Sequence, residues 1–434
     1  MAPKQIIQPD LTWTGDGFER GVKIAIDAQG RIASVGSPRA GGARGTGVRR
    51  MAGRAVLPGM VNAHSAAFQR GLRGLGERFP KGQGSFWSWR ERMYELVESM
   101  DEQTMYELSR RAYEEMLRAG ITTVGEFHYL HHDASGAGYV LDDAVLRAAT
   151  DAGIRIVLLQ VYYRTGGIGQ ALEGGQLRFQ TKSLDEYWRR LDALSTGLDT
   201  AVQSLGVAAH SIRAVPPDDL VALHEQADQR RLVFHMHVEE QSAEVKACEA
   251  ALGVRPMALL NERLNINDRF TAVHCTHTAA EDMETFAGAG GNVCLCPLTE
   301  ANHGDGIPDV GAILGSGGHV CLGTDSNVRI CFAEEMRWLE YGQRLARQER
   351  GVCVDGSGHC ARTLWEAATI NGARALGVNA GRLERGGAAD LVALNLEHPT
   401  LAGWTDETLL DAFIFGGSRA AVAEVCVNGT WLER

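Results

Sequence analysis

The apolar step Met60-Val61-Asn62-Ala63 leaves a Pro58-Gly59 turn and delivers His64 to what reads as a strand end. Alternate strand positions face the same way, so a second histidine two residues on would let two imidazoles converge on one ion. Here that position is Ala66. Further along, His128, His210, His237 and His274 also stand where strand-like runs stop, and Asp325 ends the run Cys321-Leu322-Gly323-Thr324. Each alone reads as an ordinary hydrogen-bonded side chain, and Asp325 alone as the cap of a helix starting near Ala333. As a set they point to chemistry, because several ionisable groups buried at one place are costly without a function. Imidazoles and a carboxylate suit a divalent cation, and metal-assisted hydrolysis is the reaction such a set can perform.

Glu240 lies three residues after His237, where strand gives way to loop or helix. That spacing sets a carboxylate beside a metal site without making it a ligand. On its own, Glu240 reads as a solvated carboxylate at a helix start. His235 shares the face of His237 but lies deeper, and ranks second. After His274, His277 begins the following loop.

The elements that must position these groups are legible from about residue 57 onward. Strand-like runs at Thr122–Phe127, Ile154–Gln160, Leu205–Ala209, Leu232–His237, Phe270–His274, Gly291–Cys296 and His319–Gly323 alternate with helical patterns. The helices are expected at Asp101–Ala119, Asp142–Ala152, Asp218–Gln229, Gln241–Ala251 and Ala333–Ala346. Repeated strand-then-helix units with apolar strands predict a parallel sheet, and about eight of them predict a closed (β/α)8 barrel whose strand ends converge on one mouth. An open doubly wound sheet lacks support, since no GxGxxG turn follows an early strand. Before residue 57 the chain reads as a hairpin, Val22–Ile26 with Arg31–Val35, and 37–53 reads as a loop. Gly381–Asn395 and Ala421–Trp431 read as strands and turns. The predicted α/β fold is a TIM-like barrel over 57–380, with a small β-sandwich domain built from both termini, 1–56 and 381–434.

At 434 residues, 44% hydrophobic and 22% charged, the composition is that of a globular protein. The net charge of -11 without a basic run argues against nucleic acid or an anionic membrane as partner. An acidic small-molecule substrate stays possible, because a few arginines reverse the sign locally. No apolar run of about 18 residues stands out, and Met1–Leu11 does not read as a secretion leader. The nine cysteines are irregularly spaced, form no CxxC pair and several lie in apolar runs, so a reducing, cytoplasmic location is expected.

PGMVNAHSAAFQRG at 58–71, the later His237, His274 and Asp325, and the closing GRLERGGAADLVAL together resemble the amidohydrolase superfamily over nearly the whole chain. More narrowly, five tracts are similar to the formiminoglutamate deiminases within it. They are Phe86–Arg90, Glu126–His132, His210–Ala214, Thr299–Asn302 and Arg337–Leu345. The resemblance implies hydrolysis of N-formimino-L-glutamate to N-formyl-L-glutamate and ammonia, a step of histidine degradation. It implies that His64, His237 and Asp325 bind one zinc or other divalent metal, and that Asp325 also takes a proton from the attacking water. Glu240 and His274 would handle protons and stabilise charge at the imino nitrogen and the attacking oxygen. Gln69, Arg90, Tyr129, His210 and Arg213 would hold the glutamate portion, the arginines offering a bidentate fork to its carboxylates. For Arg90 and Arg213 the competing reading is a structural ion pair. A homodimer is also implied.

The family pattern is His-x-His, and this chain has His64-Ser65-Ala66. A methyl group cannot coordinate an ion, which leaves three ligands. His303 and Asn327 also depart from the pattern. His303 reads as an exposed loop residue, with replacement of the lost imidazole as the alternative. Three readings stand: an iminohydrolase with an altered metal site, a metal-poor homologue acting on a related glutamate-like or amidine compound, and a non-catalytic binding protein.

Overall fold

The computed structural model describes residues 3–36, 47–79, 84–136 and 138–432. Eight strands follow one another in parallel, each hydrogen-bonded to the next. They are β1 (Met60–Ser65), β2 (Ile121–His128), β3 (Arg155–Tyr162), β4 (Gln203–Ser211), β5 (Phe234–Val238), β6 (Phe270–His274), β7 (Asn292–Leu295) and β8 (His319–Leu322). Most of their residues are buried, which is why they read as continuous apolar runs rather than alternating ones. The ring closes just beyond β8, where the backbone N–H groups of Thr324 and Asp325 donate to His64 O at 2.9 and 3.0 Å. Ala66 N donates back to Asp325 O at 2.9 Å. Gly323 makes this approach possible: a Cβ there would lie 2.8 Å from both Cys296 Sγ and His64 O. The fold is the TIM-like barrel with an added β domain that the sequence predicts.

The expected helices are present to within a few residues, at Glu102–Arg118, Val140–Ala152, Pro217–Gln229, Ser242–Leu252 and Phe332–Arg347. A further helix, Phe86–Ser99, starts at a reciprocal cap between Ser85 and Ser88 and lays its first turns over the barrel mouth.

A second sheet gathers five strands from the start of the chain and three from its end. At its centre Val48–Pro58 pairs in parallel with Gln5–Trp13 and antiparallel with Leu391–Asn395. The expected hairpin is there, as Lys23–Ile26 paired with Ile32–Gly36. The loop expected over 37–53 is corrected in its second part. Residues 37–46 lie outside the described residues, but 48–53 belong to that central strand. Val48, Arg49 and Arg50 occupy its exposed end, so their polarity reads as loop, whereas Ala55–Pro58 are buried. The central strand feeds directly into β1. Gly59 is required at the junction, since a Cβ would meet Thr122 Oγ1 at 2.1 Å. Arg155 Nε, at the start of β3, pairs with Asp390 at 2.6 Å and ties the two sheets together.

Candidate active site

His64 and His237 end β1 and β5 and meet at the mouth, Nε2 to Nε2, at 3.1 Å. Asp325 Oδ1 lies 3.4 Å from His64 Nε2. One ligand atom from each of the three falls within 4.8 Å of the others. All three residues are buried. Burial, reinforced by the neighbouring His64, His210 and His274, pushes the His237 pKa well down, so the ring is neutral with a lone pair to give. Nδ1 of both rings lacks a hydrogen-bond partner among the described residues. Two imidazoles and a carboxylate converging on one point fit a divalent cation. Asp325 caps no helix: the helix at Phe332–Arg347 begins after Cys331, with no side-chain cap.

Behind this set sits a second layer of charge. His274 ends β6, with Nε2 3.8 Å from Asp325 Oδ2 and 3.9 Å from Glu240 Oε1. Its Nδ1 faces Glu300 Oε1 at 3.3 Å. Burial pulls its pKa down, but the carboxylates of Glu240, Glu300 and Asp325 overcome that and hold it at about 10. His274 is therefore an imidazolium at neutral pH. Glu240 is buried rather than solvated, with Arg213 3.6 Å from its Oε2. Backbone strain gathers here too. Glu239, His274, Cys275, Asp325 and Asn327 all have positive φ, from 37° to 74°. Such conformations persist only where the surroundings over-determine them, and they cluster at functional sites.

One pocket opens on this layer, and Gln69, Arg90, Tyr129, His210, Arg213, His237, Glu240 and Asp325 all line it. Gln69 Nε2 donates to the Tyr129 hydroxyl at 2.7 Å. His210 is kept neutral by burial and by Arg213 and Arg90 nearby. Arg213 does make the ion pair that was the competing reading, 3.1 Å from Glu244, and lines the pocket as well. Arg90 stacks over Trp87 and Tyr94 and has no carboxylate within ion-pair distance among the described residues.

Two candidate histidines are turned away. Phe127 takes the inward face of β2 and packs on His64 and His237 at 4.8 and 4.4 Å between ring centroids. Strand alternation then turns His128 outward, where it and His131 share Asp142 Oδ1 at 2.9 and 3.0 Å. His235 lies deeper and contacts Ala375 O at 2.9 Å. His303 is not an exposed loop residue. It ends the helix Pro297–His303 with its side chain 2% exposed, lining the pocket against Trp89, and it stands outside the His64–His237–Asp325 cluster. Asn327 holds the mouth together, donating to Ser65 Oγ at 3.1 Å and to Asp325 O at 2.8 Å. Sequence reasoning assigned no role to Glu300 or Tyr163. The signal for Glu300 was a glutamate one turn into a helix opened by Pro297.

A parallel barrel whose mouth gathers two histidines and an aspartate able to hold a cation, backed by buried carboxylates, has the arrangement of a metal-dependent-hydrolase type of site. Residues 55–432 match the Amidohydrolase family, and the chain belongs to it, as a hydrolytic enzyme acting on C–N bonds. It is 40% identical to a formimidoylglutamate deiminase of Pseudomonas aeruginosa, over 96% of this chain and 92% of that protein. A 5-methylthioadenosine/S-adenosylhomocysteine deaminase of Symbiobacterium thermophilum is 29% identical over 93% of this chain and 87% of its own length. The crystal structure of an amidohydrolase from Brucella melitensis superposes with a TM-score of 0.89 at 37% identity, covering 99% of this chain and 94% of that one. Among the described residues no helix is long and apolar enough to cross a membrane.

Proposed function

We propose that this chain hydrolyses N-formimino-L-glutamate, or a close formimino or amidine analogue, to N-formyl-L-glutamate and ammonia. The observation that carries the reading is that one pocket is lined both by the carboxylates Glu240 and Asp325 and by the arginines Arg90 and Arg213. The 40% identity to a formimidoylglutamate deiminase supports it.

His64, His237 and Asp325 would hold one divalent cation, zinc by the nature of its donors. Such an ion, when bound, makes hydroxide available near neutral pH and polarises the bond under attack. The protein's own groups do the rest. Arg90 and Arg213 receive the two carboxylates of the substrate, and Gln69, Tyr129 and neutral His210 orient its glutamate portion by hydrogen bonds. Asp325 accepts the proton that water gives up as its oxygen adds to the formimino carbon. Positively charged His274 faces the negative charge growing on that oxygen. Glu240 delivers a proton to the imino nitrogen. The proton held by Asp325 restores Glu240. The hydroxyl of the adduct gives up the second proton of the water, which the same carboxylates pass to nitrogen as the C–N bond breaks. Ammonia leaves with both protons of the water, and the formyl carbonyl forms.

Ala66 favours one further reading: the same barrel and clamp, with little metal and other chemistry on a glutamate-like compound. Ammonia release from N-formimino-L-glutamate, with zinc added, separates the two. No release sinks the hydrolysis reading, unless Ala66→His restores it and locates the defect at the ligand position. The family resemblance carries the remaining parts of the proposal, a cytoplasmic homodimer serving histidine degradation. Light scattering showing a monomer would remove the dimer.

A further inference from the structure

One side of the pocket holds polar atoms that the hydrolysis does not use. His303 is packed edge and face by Phe86 and Trp89, with ring centroids 5.7 and 4.1 Å away, and both of its nitrogens lack a hydrogen-bond partner among the described residues. The ring is thus fixed by packing rather than by hydrogen bonds. Its Nδ1 is aimed at two carboxylates, 3.7 Å from Asp305 Oδ2 and 4.0 Å from Glu240 Oε1. These spacings are too long for hydrogen bonds. Asp305 is buried as well. Gln241 Nε2 donates to its Oδ1, while Oδ2 has no hydrogen-bond partner among the described residues.

We propose that Glu240, His303 and Asp305 form a second divalent-cation site, distinct from the His64, His237 and Asp325 set. One ligand atom from each lies within 4.8 Å of the other two. An ion bonded to each at about 2.1 Å would set neighbouring ligand atoms about 3.4 Å apart, which small side-chain rotations reach from the observed spacing. One imidazole and two carboxylates match a double positive charge once the ion displaces the proton that burial and the neighbouring Glu240 keep on Asp305. The imidazole and carboxylate donors suit zinc, cobalt or manganese. The ion satisfies His303 Nδ1 and Asp305 Oδ2 at once, which no side chain among the described residues does.

Glu240 already faces Arg213 and His274, so this ion competes for it and binds more weakly than one at the first site. Where Glu240 serves as the proton donor, as the proposed hydrolysis has it, an ion here withdraws that carboxylate and excess metal slows turnover. The binding itself does not depend on that reading.

The test is a cobalt(II) titration of the full chain after chelator stripping, followed by visible absorption and by metal counted after equilibrium dialysis. The wild type is expected to take two ions of unequal affinity. His303→Leu and Asp305→Asn are each expected to weaken the second ion at least tenfold while keeping the first. His303→Gln guards against misfolding, since it keeps the bulk and loses most of the affinity; melting curves confirm that all three variants are folded. A single ion in the wild type that persists in His303→Leu, or a second ion unchanged in His303→Leu and Asp305→Asn, overturns the proposal. Were the His64, His237 and Asp325 set empty instead, the wild type would hold one ion and His303→Leu none. That result would refute the first-site assignment and leave this one standing.

Discussion

His64 and His237 place their Nε2 atoms 3.1 Å apart across the mouth of the barrel. With the hydrogen of each ring on Nδ1, both Nε2 atoms present a lone pair across that gap, and Asp325 adds a third ligand atom. Ala66 follows His64 by one strand repeat, where a fourth ligand would join them. Ala66→His is expected to tighten zinc at least tenfold, because even indirect support of a ligand is worth about 10–100-fold. Competition against a chelator of known affinity measures it. Equal affinity in the two proteins would show that the methyl position points away from the ion.

The two arginines of the proposed clamp differ in what else they hold. Arg213 lies largely buried, 12% exposed, between Glu240 and Glu244, while Arg90 rests on the faces of Trp87 and Tyr94. Removing one partner of a buried pair costs about 3–5 kcal/mol, whereas a charged hydrogen bond to a ligand is worth about 1.5–3 kcal/mol. Arg90→Met should therefore raise KM roughly tenfold or more with a nearly unchanged Tm. Arg213→Met should raise KM and also lower Tm by several degrees. Equal losses of Tm would place Arg90 in the structure rather than in the clamp.

The histidines show what a sequence can and cannot reveal about such a site. The ends of apolar runs located His64, His237 and His274, since in a parallel barrel every strand stops at the same mouth. The same rule failed for His128. Alternation gives two faces, and only the packing of Phe127 on His64 and His237 decides which one looks inward. His303 was misread because Pro297 opens a short helix after β7, and that helix carries the histidine back over the pocket. The partnership of Glu300 with His274 joins two successive units of the barrel, and no local pattern announces it.

His274 offers a pH signature in the metal-free protein. Its folded pKa, near 10, stands above the ordinary value of 6.5. The imidazolium therefore adds stability that is fully present below pH 6.5 and is lost as pH rises through about 10. Glu300→Gln removes one of the carboxylates that hold the proton on, so the loss should begin at lower pH. Chelator-treated protein melted between pH 6 and pH 10 should show an earlier fall in Tm in the variant. Parallel curves would mean that Glu300 does not govern this proton.

Glu240→Gln tests the proton donor most directly. The amide keeps the shape of the side chain and can still accept a hydrogen bond from Arg213, but it has no proton to deliver to a leaving nitrogen. Arg213 retains Glu244 at 3.1 Å, so the substitution leaves no buried guanidinium without a carboxylate. The fold should hold, and the clamp should still bind substrate. General-acid catalysis contributes about 10²–10⁴-fold, so kcat should fall by that factor while KM changes little. A metal count taken with the kinetics guards the assignment, because the ion at His64, His237 and Asp325 should remain. A rise in KM with kcat intact would instead make Glu240 a substrate-binding group, and the protonation of the leaving nitrogen would pass to His274.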